Sequence, residues 1–446
     1  MNSLVVVDTP RMVRRFRRYG RLAATTAADA ETADIVVNWA GRTAPDALPP
    51  ATRVLNSPAA LALWQNRHIR RRLLRMYGLR LARGGGERFR AHVFDAQVLI
   101  LLRGRVRRGR LRFRRVHSIR SKEMKAVVEH AQRAVAALRL DFGVVDLVLR
   151  RKDPYVVRVR PTPPGTPVAV RRYAAAIRDF ARVWSRRTGT FLIGADPEFM
   201  LVHRRTRRLI VASYYLRKEG ALGLDNQRLT GSRSRRPIAE VRPRPAAEPE
   251  QVVQRIRRLL RRMPRRLRRG NVRWCAGSGP RGNYPIGGHI HFSGLPLTAG
   301  LVRALDTYLA LPLAMVEDPR RARRRRRRYG FLSEVREKSW GFEYRTPPSW
   351  LVTPGYARAV LALTKLIALN WRRLERDPFL DPRVVRAFKV CDKNTLRPHF
   401  EAVWDDLTAL PEYARYAADL DALAEVARSG RSWNEQRDFR LAWGLR

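Results

Sequence analysis

The amino-acid sequence predicts an α+β protein in two parts. Up to about residue 185, short runs rich in valine, isoleucine and leucine alternate with longer helix-like runs. A helix-like segment then ends at Gly189, and beyond it strand-like runs alternate charged and apolar residues. A chain of 446 residues is long enough for two or three domains, each with its own core. We therefore expect an α+β domain over residues 1–185 and a second domain, built on a curved antiparallel sheet with helices, over residues 190–446.

The composition is strongly basic. Lysine and arginine together number 92, against 39 aspartate and glutamate residues, so the formal net charge is +53. Since hydrophobic residues still make up 45% of the chain, the sequence is that of a folded protein and not of a disordered basic tail. The even spread of charge favours a compositional drift toward arginine, and binding of nucleic acid or another polyanion is the alternative. In both cases anionic partners and substrates are attracted.

Three features bear on the compartment. The two cysteines, Cys275 and Cys391, give no disulfide framework, so a reducing compartment is expected. The first 20 residues hold a very short apolar run followed by charge, which is typical of a first strand and not of a signal peptide. No uncharged apolar run approaches the ~18 residues that span a bilayer. We expect a cytoplasmic protein without a membrane span.

The first part reads as a series of strands and helices. Strand-like SLVVVD and ADIVVNWA precede a helix that we expect to begin after Ser57 and to end at Gly78. The glycines from Gly84 to Gly86 predict a flexible turn, because the lysine and hydroxyl residue of a phosphate-binding loop do not follow them. A strand hairpin, a helix beginning at SKEMK, and the strands DFGVVDLVLR and YVVRVR come next.

The order of these last elements resembles the C-terminal half of an ATP-grasp domain. In that family the final strand carries a glutamate and an asparagine that bind magnesium ions, whereas this chain has Arg158 and Arg160. A guanidinium cannot ligate a hard cation. Asp146 is the one acid that remains at the expected place. The lysine-bearing central part of the family's domain is missing, because only a short stretch separates Gly78 from Phe89. The resemblance therefore implies a shortened, inactive ATP-grasp-like domain with a scaffolding or substrate-presenting role.

Two segments of the second part place acids on strand faces. In GADPEFML, Asp196 and Glu198 are two residues apart, so they share one face of an otherwise apolar strand. Such a pair is costly to bury unless a cation compensates it, and a strand end is the alternative. In PIAEVRPRP, Glu240 lies between apolar neighbours with Arg242 on its face, which alone is typical of a surface ion pair.

The stretch GGHIHFSG adds imidazoles to this part of the chain. On a strand, His289 and His291 share one face, and Ile290 and Phe292 share the other. Glycines on both sides allow a close approach to the backbone. Neutral imidazoles bind metals and also hydrogen-bond phosphate oxygens, and a structural role is the alternative for a single such pair.

A last segment, EVREKSWGFEYRTPPSW, carries both signs of charge. Arg336 and Lys338 lie in its first strand-like run, and Glu343 and Arg345 share one face of the second. An amphipathic edge strand with a charged face is the alternative. Together with the preceding segments, however, this gives four strands that present acids, imidazoles or guanidinium groups on one face. We expect them to line the concave side of a curved sheet as a channel for cations and phosphate.

An ordered set of motifs resembles the carboxylate-amine ligases, or amidoligases, of the glutamine-synthetase-like fold, in particular their phage-type branch. The motifs are GADPEF, AEVRP, GGHIHFSG, the YG of Tyr329 and Gly330, and EYRTPPSW, and the resemblance covers about residues 190–445. It implies an ATP-dependent enzyme that joins a carboxylate to an amine through an acyl phosphate, with Mg²⁺ as the metal. It implies that the metal ligands are Asp196, Glu198, Glu240, His289 and Glu343. Catalytic residues that neutralise the transferred phosphate would be Arg336, Lys338 and Arg345. Contacts to the nucleotide would come from His291, Arg328, Lys338 and Arg345, and Asp225 would lie toward the substrate end.

The run Arg323–Arg328 precedes the YG motif. Six consecutive arginines repel one another, so a solvated surface segment is the favoured interpretation. The alternative is a phosphate clamp, and the resemblance assigns Arg328 to it because the ligase family has an arginine in the corresponding loop.

The expected substrates are small-molecule or peptide carboxylates and amines, with ATP and Mg²⁺ as cofactors. The rival function is a non-enzymatic protein that binds nucleic acid or another polyanion through its basic surface. It predicts an affinity that falls steeply with salt and is indifferent to ATP and magnesium.

Overall fold

The computed structural model describes residues 4–25, 33–39, 52–107 and 110–445. The chain divides into two compact units: unit 1 is Met1–Arg187 and unit 2 is Thr188–Arg446. Both units combine helices with β-sheets, and two of the sheets are antiparallel. The mixed α+β class that the sequence predicts is confirmed.

Unit 1 contains two sheets and the helices that pack on them. Its parallel sheet contains β1 (Leu4–Val7), β2 (Ala24–Thr25), β3 (Ile35–Asn38) and β4 (Arg53–Leu55), in the order β2-β1-β3-β4. Its antiparallel sheet contains β5 (Glu87–Phe94), β6 (Gln97–Arg107), β7 (Arg110–Arg115), β8 (Phe142–Arg150) and β9 (Asp153–Arg160), in the order β7-β6-β5-β8-β9. Its helices are α1 (Pro10–Arg15), α2 (Pro58–Gln65), α3 (Arg67–Met76), α4 (Lys122–Ala136) and α5 (Pro167–Ser185).

The single helix predicted after Ser57 is in fact two helices. The Ser57 hydroxyl accepts a hydrogen bond from the Ala60 amide at 3.3 Å, and α2 begins there. At Asn66 the backbone becomes extended, and the Asn66 side-chain oxygen accepts from the amides of His68 and Ile69 at 3.0 Å each. Asparagine is among the best N-cap residues, so it ends α2 and begins α3 inside one continuous helix-like pattern.

The core of unit 1 is aromatic. The Trp39 ring packs edge-on against Phe16 and Tyr173, with centroids 4.8 and 4.9 Å apart, and stacks on Phe142 at 5.4 Å. These residues come from β8, from α5, from the segment after α1 and from the end of β3. Because aromatic pairs in these geometries are favourable beyond their buried area, this cluster ties the two sheets of unit 1 to α5.

Unit 2 is built on one antiparallel sheet. Its strands are β10 (Leu192–His203), β11 (Leu209–Ile210), β12 (Leu222–Leu224), β13 (Ile238–Val241), β14 (Val272–Cys275), β15 (Gly288–Ser293), β16 (Val335–Lys338) and β17 (Gly341–Tyr344). Their order is β12-β13-β10-β15-β17-β16, and β11 and β14 also pair with β10. Its helices are α6 (Pro249–Arg261), α7 (Arg265–Arg269), α8 (Ala299–Leu305), α9 (Leu311–Val316), α10 (Pro319–Arg326), α11 (Pro354–Asn370), α12 (Pro382–Val390), α13 (Lys393–Thr408) and α14 (Ala417–Arg428).

One helical segment of unit 2, Ala299–Val316, is long and apolar enough to cross a membrane. It contains Arg303 and Asp306, and 83% of it is buried within the folded protein. The Asp306 carboxylate accepts hydrogen bonds from the Ser333 amide and hydroxyl and from the Tyr344 hydroxyl at 2.7–2.9 Å. This segment therefore packs as a core helix that holds β17 and the chain leading into β16.

The arginine run is not simply a solvated surface segment. Most of it lies in α10, and Arg325 and Arg326 are only 2% and 4% exposed. Arg326 pairs with the buried carboxylate of Glu317. Arg323, Arg324, Arg327 and Arg328 are exposed, as the sequence interpretation expects. The interpretation is wrong for the two buried arginines because one face of α10 packs into the core of unit 2.

Candidate functional site

The register of the sheet in unit 2 places the predicted site residues opposite one another on neighbouring strands. The following pairs lie directly opposite one another on neighbouring strands: Glu198 with Glu240, Asp196 with His289, His291 with Glu343, and Glu343 with Arg336. Opposite residues of an antiparallel pair point to the same face of the sheet. We call the resulting row of Asp196, Glu198, Glu240, His289, His291 and Glu343 the acidic band.

The other face of the same strands is apolar and fixes the band in place. On β10, Phe199 packs against Trp274 and Phe439, with ring centroids 5.5 and 5.6 Å apart. Across β15 and β17, Phe292 stacks on Phe342 at 4.9 Å. Because side chains alternate along a strand, burying these rings forces the intervening acids and imidazoles to the opposite face.

The paired glycines before His289 are required by close packing. A Cβ atom at Gly288 would lie 2.5 Å from the Pro348 carbonyl oxygen and 2.5 Å from the Trp350 indole nitrogen. That indole donates a hydrogen bond to the Gly288 carbonyl at 3.0 Å. The glycines therefore let the PPSW segment after β17 lie against the start of β15, which explains their place in the motif.

Arg325 joins the chain on both sides of the band. Its guanidinium donates hydrogen bonds of 2.7 Å to the carbonyl oxygens of Ile286, Thr346 and Pro347. Ile286 precedes β15 and the other two residues follow β17, so one buried side chain fixes the spacing of the strands that carry His289 and Glu343. Burial lowers the pKa of Arg325 to about 10, at which it remains charged near neutral pH.

Acids and imidazoles are in direct contact at the centre of the band. The His289 Nδ1 atom lies 2.9 Å from Asp196 Oδ1 and 3.5 Å from Glu343 Oε1. The His291 Nε2 atom lies 3.2 Å from Asp196 Oδ1, and Glu198 Oε1 is 3.9 Å from His289 Nε2. Glu198 is also held by the Gly287 amide, which donates to its Oε2 at 2.8 Å.

Glu343 is surrounded by the three predicted catalytic cations. The side chain of Arg336 lies 3.2 Å from its carboxylate, that of Lys338 3.4 Å, and that of Arg345 3.0 Å. Arg345 also lies 3.6 Å from Glu334. The structure thus places Arg336, Lys338 and Arg345 together at one end of the acidic band.

Glu240 is not part of a surface ion pair, in contrast to the simplest interpretation of its motif. Its side chain is 7% exposed, and Arg242 donates two hydrogen bonds to it, at 3.1 and 2.8 Å. Arg242 also donates to the carbonyl oxygens of Gly220 and Leu224. β12 pairs with β13 on the side away from β10, so Glu240 does not lie on an edge strand, which the local sequence pattern does not reveal.

Burial and mutual repulsion shift the acids of the band in opposite directions. Burial raises the pKa of Glu198 well above its ordinary value, and the carboxylates of Asp225 and Glu240 raise it further. Burial and the charge of Asp196 raise the pKa of Glu240 to about 8, against a lowering by Arg242. Burial opposes the ionisation of Asp196 and Glu343, but their interactions with neighbouring side chains outweigh it and lower both pKa values. These neighbours are His289 and His291 for Asp196, and His289, Arg336 and Arg345 for Glu343. Acids with raised pKa beside ionised acids are typical of a cation site.

The donor atoms fit a divalent cation. One carboxylate oxygen each from Asp196 and Glu343 and one ring nitrogen of His291 lie within 4.8 Å of one another. The His291 Nε2 atom is buried and makes no hydrogen bond with any residue that the structure describes, although Asp196 Oδ1 lies 3.2 Å away. Both ring nitrogens of His289, in contrast, are engaged, one by Asp196 and one by the Tyr329 hydroxyl. Carboxylate oxygens with an imidazole suit hard divalent ions such as Mg²⁺ or Mn²⁺.

Two further residues lie at the site, although the sequence pattern predicts no role for them there. Tyr329 is hydrogen-bonded to His289, and its ring lies 4.8 Å from the Arg345 guanidinium. Trp340 is 43% exposed at the β16–β17 turn, and its ring centroid is 5.2 Å from that of His291. The sequence contains Tyr329 within the YG motif, but nothing in the motif indicates its contact with His289. For Trp340, no local pattern distinguishes an aromatic residue at a binding site from any other aromatic residue in a hairpin turn.

Arg328 and Asp225 lie at the edges of this arrangement. The Arg328 guanidinium donates to the Asn283 carbonyl at 2.6 Å, in the loop before β15, and no contact with the acidic band is described for it. Asp225 is close enough to Glu198 to raise its pKa. Its own carboxylate accepts from the Gln227 amide at 2.5 Å.

Glu240 gives a testable pH dependence of stability. Because its folded-state pKa of about 8 lies above the ordinary 4.5, the folded protein keeps a proton that the unfolded chain releases. This stabilisation is complete below the ordinary pKa and is lost as the pH rises through 8. Glu240→Gln is neutral at every pH. We therefore expect its melting temperature, relative to wild type in metal-free buffer, to increase between pH 5 and pH 9, and a pH-independent difference would contradict the assignment.

Comparison with known proteins identifies the second unit. A family model described as phage phiEco32-like COOH.NH2 ligase-type 2 matches residues 193–445, which is more than half of the chain. No curated protein matches the sequence. The phage-type resemblance over residues 190–445 is therefore confirmed.

Comparison with solved structures finds ATP-grasp ligases and a macrocyclase, each matching 39–41% of this chain at low identity. D-alanine–D-alanine ligase from Bacillus anthracis, complexed with ATP, is 11% identical over 41% of this chain and 93% of its own, with a TM-score of 0.31. The ATP-grasp ligase PsnB, complexed with minimal precursor, Mg and ADP, is 14% identical over 40% and 96%, with a TM-score of 0.31. The macrocyclase MdnB from Microcystis aeruginosa MRC is 13% identical over 39% and 98%, with a TM-score of 0.29.

The family match covers every residue of the acidic band and the three cations around Glu343. The chain belongs to the phage phiEco32-like COOH.NH2 ligase-type 2 family and is a ligase of the carboxylate-amine class.

Proposed function

We propose that unit 2 binds ATP and divalent cations at the acidic band and activates a carboxylate as an acyl phosphate, which an amine then converts to an amide. One observation supports this proposal above all: three buried glutamates, an aspartate and two histidines lie on one face of the sheet, beside three cationic side chains. Buried acids held this close are unfavourable without a compensating cation.

The acids would hold Mg²⁺ at two places along the band. Asp196, His291 and Glu343 form one donor group, and Glu198 and Glu240, opposite each other on β10 and β13, form a second. When bound, Mg²⁺ supplies charge compensation for the phosphate oxygens and a template that orients them. The geometry favours His291 over His289 as the imidazole ligand, because the nitrogens of His289 are already engaged.

Arg336, Lys338 and Arg345 would bind the phosphate that is transferred. They lie within 3.0–3.4 Å of Glu343, so their positive charge is already gathered at one end of the band. Donors that are fixed before the reaction stabilise developing charge without reorganisation. The exposed ring of Trp340 beside His291 offers a face on which the nucleotide base would stack.

The proposed reaction consists of two substitution steps. A carboxylate oxygen attacks the γ-phosphorus of ATP, the bond to the bridging oxygen breaks, and ADP leaves. The amine then attacks the carbonyl carbon of the acyl phosphate, inorganic phosphate leaves, and the amine nitrogen loses a proton. The first step is needed because a free carboxylate is a poor electrophile at neutral pH. Three cations and a metal site beside one another suit the first step, in which charge spreads over the phosphate oxygens.

We also propose a glutamine-synthetase-like fold for unit 2 and an inactive ATP-grasp-like fold for unit 1. The antiparallel sheet with its acid-bearing face supports the first assignment. In unit 1, Asp146 lies 2.7 Å from Arg90 and 3.2 Å from Arg160, and its partner across the sheet is Arg158. A carboxylate neutralised by guanidinium groups is a poor magnesium ligand, which supports an inactive domain.

An isotope experiment tests the acyl phosphate. Purified protein is incubated with Mg-ATP, a panel of amines, and carboxylates labelled with ¹⁸O in both oxygens. The proposal predicts that ADP formation depends on both substrates and that one ¹⁸O appears in each inorganic phosphate released. ADP formation with unlabelled phosphate would reject the intermediate, and no ADP with any pair would count against the ligase site. Tight binding of nucleic acid that is indifferent to Mg-ATP would then favour the polyanion-binding alternative.

A further inference from the structure

A second feature of unit 2 lies apart from the residues of the acidic band. A cavity of about 280 Å³ lies between the loop at 279–282 and the start of helix α10. Its lining includes the side chains of Arg281, Arg320, Arg321 and Arg324, together with the acid Asp318. We call it the arginine cavity.

The positive charge of the arginine cavity is largely uncompensated. Asp318 caps α10 by accepting from the Arg321 amide at 2.9 Å, and its other oxygen is 3.9 Å from the Arg321 guanidinium. Within residues 110–445 and the other described ranges, no acidic side chain lies within 4.0 Å of the guanidinium groups of Arg281, Arg320 or Arg324. Arg281, Arg320 and Arg324 are exposed, so water and salt screen them in part, but an anion that enters the cavity is attracted by all of them.

The loop wall of the cavity is fixed in advance by buried groups. The Gly279 amide donates to Glu435 Oε2 at 3.1 Å, and the Ser278 hydroxyl donates to Glu317 Oε2 at 2.6 Å. Glu317 and Glu435 are almost completely buried, and Glu317 is also paired with Arg326 of α10. The loop and the helix that form the two walls are therefore tied to each other, and a ligand need not order them.

The same two segments connect the cavity to the acidic band. From the cavity the loop continues through Asn283 into β15, which carries His289 and His291. From α10 the chain continues to Arg328, which donates to the Asn283 carbonyl, and to Tyr329, which contacts His289. Two short stretches of chain thus link the cavity to the acidic band.

The chemistry of the cavity favours carboxylate groups over a nucleotide. Small-molecule pockets usually have volumes of about 300–1,000 Å³, so this cavity is at the small end and suits a compact group. The guanidinium fork matches carboxylate and phosphate groups alike in a bidentate way, so the preference for a carboxylate rests on the separate site available to the nucleotide. A nucleotide has its own metal donors and cations at the acidic band, whereas Asp318 is engaged as a helix cap.

We propose that the arginine cavity anchors a second carboxylate of the substrate, so that this ligase acts on an acidic peptide or another polycarboxylate. The inference rests on the proposed function for the carboxylate that reacts. The cavity itself requires neither ATP nor a metal.

The test compares two double variants of the full chain that lose the same charge. Arg320→Gln with Arg324→Gln alters the cavity, and Arg258→Gln with Arg261→Gln alters the exposed face of α6 as a control. The probe is N-acetylated triglutamate, and its dissociation constant is measured by calorimetry near 0.15 M salt. We expect wild type and control to bind alike, and the cavity variant to bind at least about tenfold more weakly, because it loses charge-assisted hydrogen bonds. Melting temperatures of the free proteins check that all three are folded.

Other outcomes overturn the inference. If wild type does not bind triglutamate, or if both variants weaken binding equally, the cavity is not a carboxylate site. If the cavity variant no longer binds inorganic triphosphate but still binds triglutamate as tightly as wild type, the site is selective for phosphate and the proposed substrate class is wrong. Binding of Mg-ADP is measured in parallel and is expected to be the same in all three proteins. If wild type does not bind Mg-ADP, that result counts against the proposed function, and the triglutamate measurement still decides the inference about the cavity.

Discussion

Glu343→Gln is expected to lower the rate of ADP formation by about 10²- to 10³-fold, the effect typical of removing one charge-stabilising contact from a reacting centre. The Glu343 side chain is 2% exposed and contacts Arg336, Lys338 and Arg345. Glutamine keeps the shape and removes the charge. The variant therefore loses a hard metal ligand and the counter-charge that holds three cations together. The measurement is steady-state ADP release with saturating carboxylate and amine.

A matched control separates this effect from a general loss of acidic charge. Glu337 lies on β16, close along the chain to Arg336 and Lys338, and it is exposed, with no ion pair described for it. Glu337→Gln is expected to keep the wild-type rate. Equal rates for wild type, Glu343→Gln and Glu337→Gln would remove Glu343 from the catalytic site.

Arg325→Met is expected to have the largest effect on stability, a loss of about 3–5 kcal/mol in the free energy of unfolding of unit 2. The substitution leaves the carbonyl oxygens of Ile286, Thr346 and Pro347 buried without their donor, and each such group costs about 1–3 kcal/mol. Because these carbonyls flank β15 and β17, any folded variant should also lose ligase activity. Urea unfolding followed by tryptophan fluorescence measures the loss.

The neighbouring arginines supply the control for this prediction. Arg327 belongs to the same run but is exposed. Arg327→Met is expected to change the free energy of unfolding by no more than about 0.5 kcal/mol, as is usual for surface substitutions. Similar losses in the two variants would show that the run acts through its total charge and not through the buried contacts of Arg325.

The sequence could predict the acidic band because the period of a strand is simple. Asp196 with Glu198, and His289 with His291, are two residues apart in apolar surroundings, and such alternation specifies a shared face. The register that places Glu198 opposite Glu240 could not be derived from these local patterns. It depends on which strands are neighbours, and that in turn depends on the packing of rings such as Phe199 against Trp274.

The misread residues share a physical cause. Arg325 and Arg326 belong to a run whose composition is typical of an exposed segment. Their buried partners are Glu317, just before α10, and three backbone carbonyls from more distant parts of the chain. Asn66 lies within a continuous helix-like pattern and acts as a cap. In each case the outcome depends on a hydrogen-bond partner, and hydrophobic periodicity does not reveal such partners.

The most direct test of the central claim is a crystal structure with ADP and Mn²⁺, in which anomalous scattering locates the cations. We expect manganese peaks at coordination distance from the carboxylate oxygens of Glu198, Glu240 and Glu343, with the β-phosphate of ADP directed toward Arg336, Lys338 and Arg345. Peaks and nucleotide bound in unit 1, or a well-ordered ADP in unit 2 with no cation at the acidic band, would contradict the account.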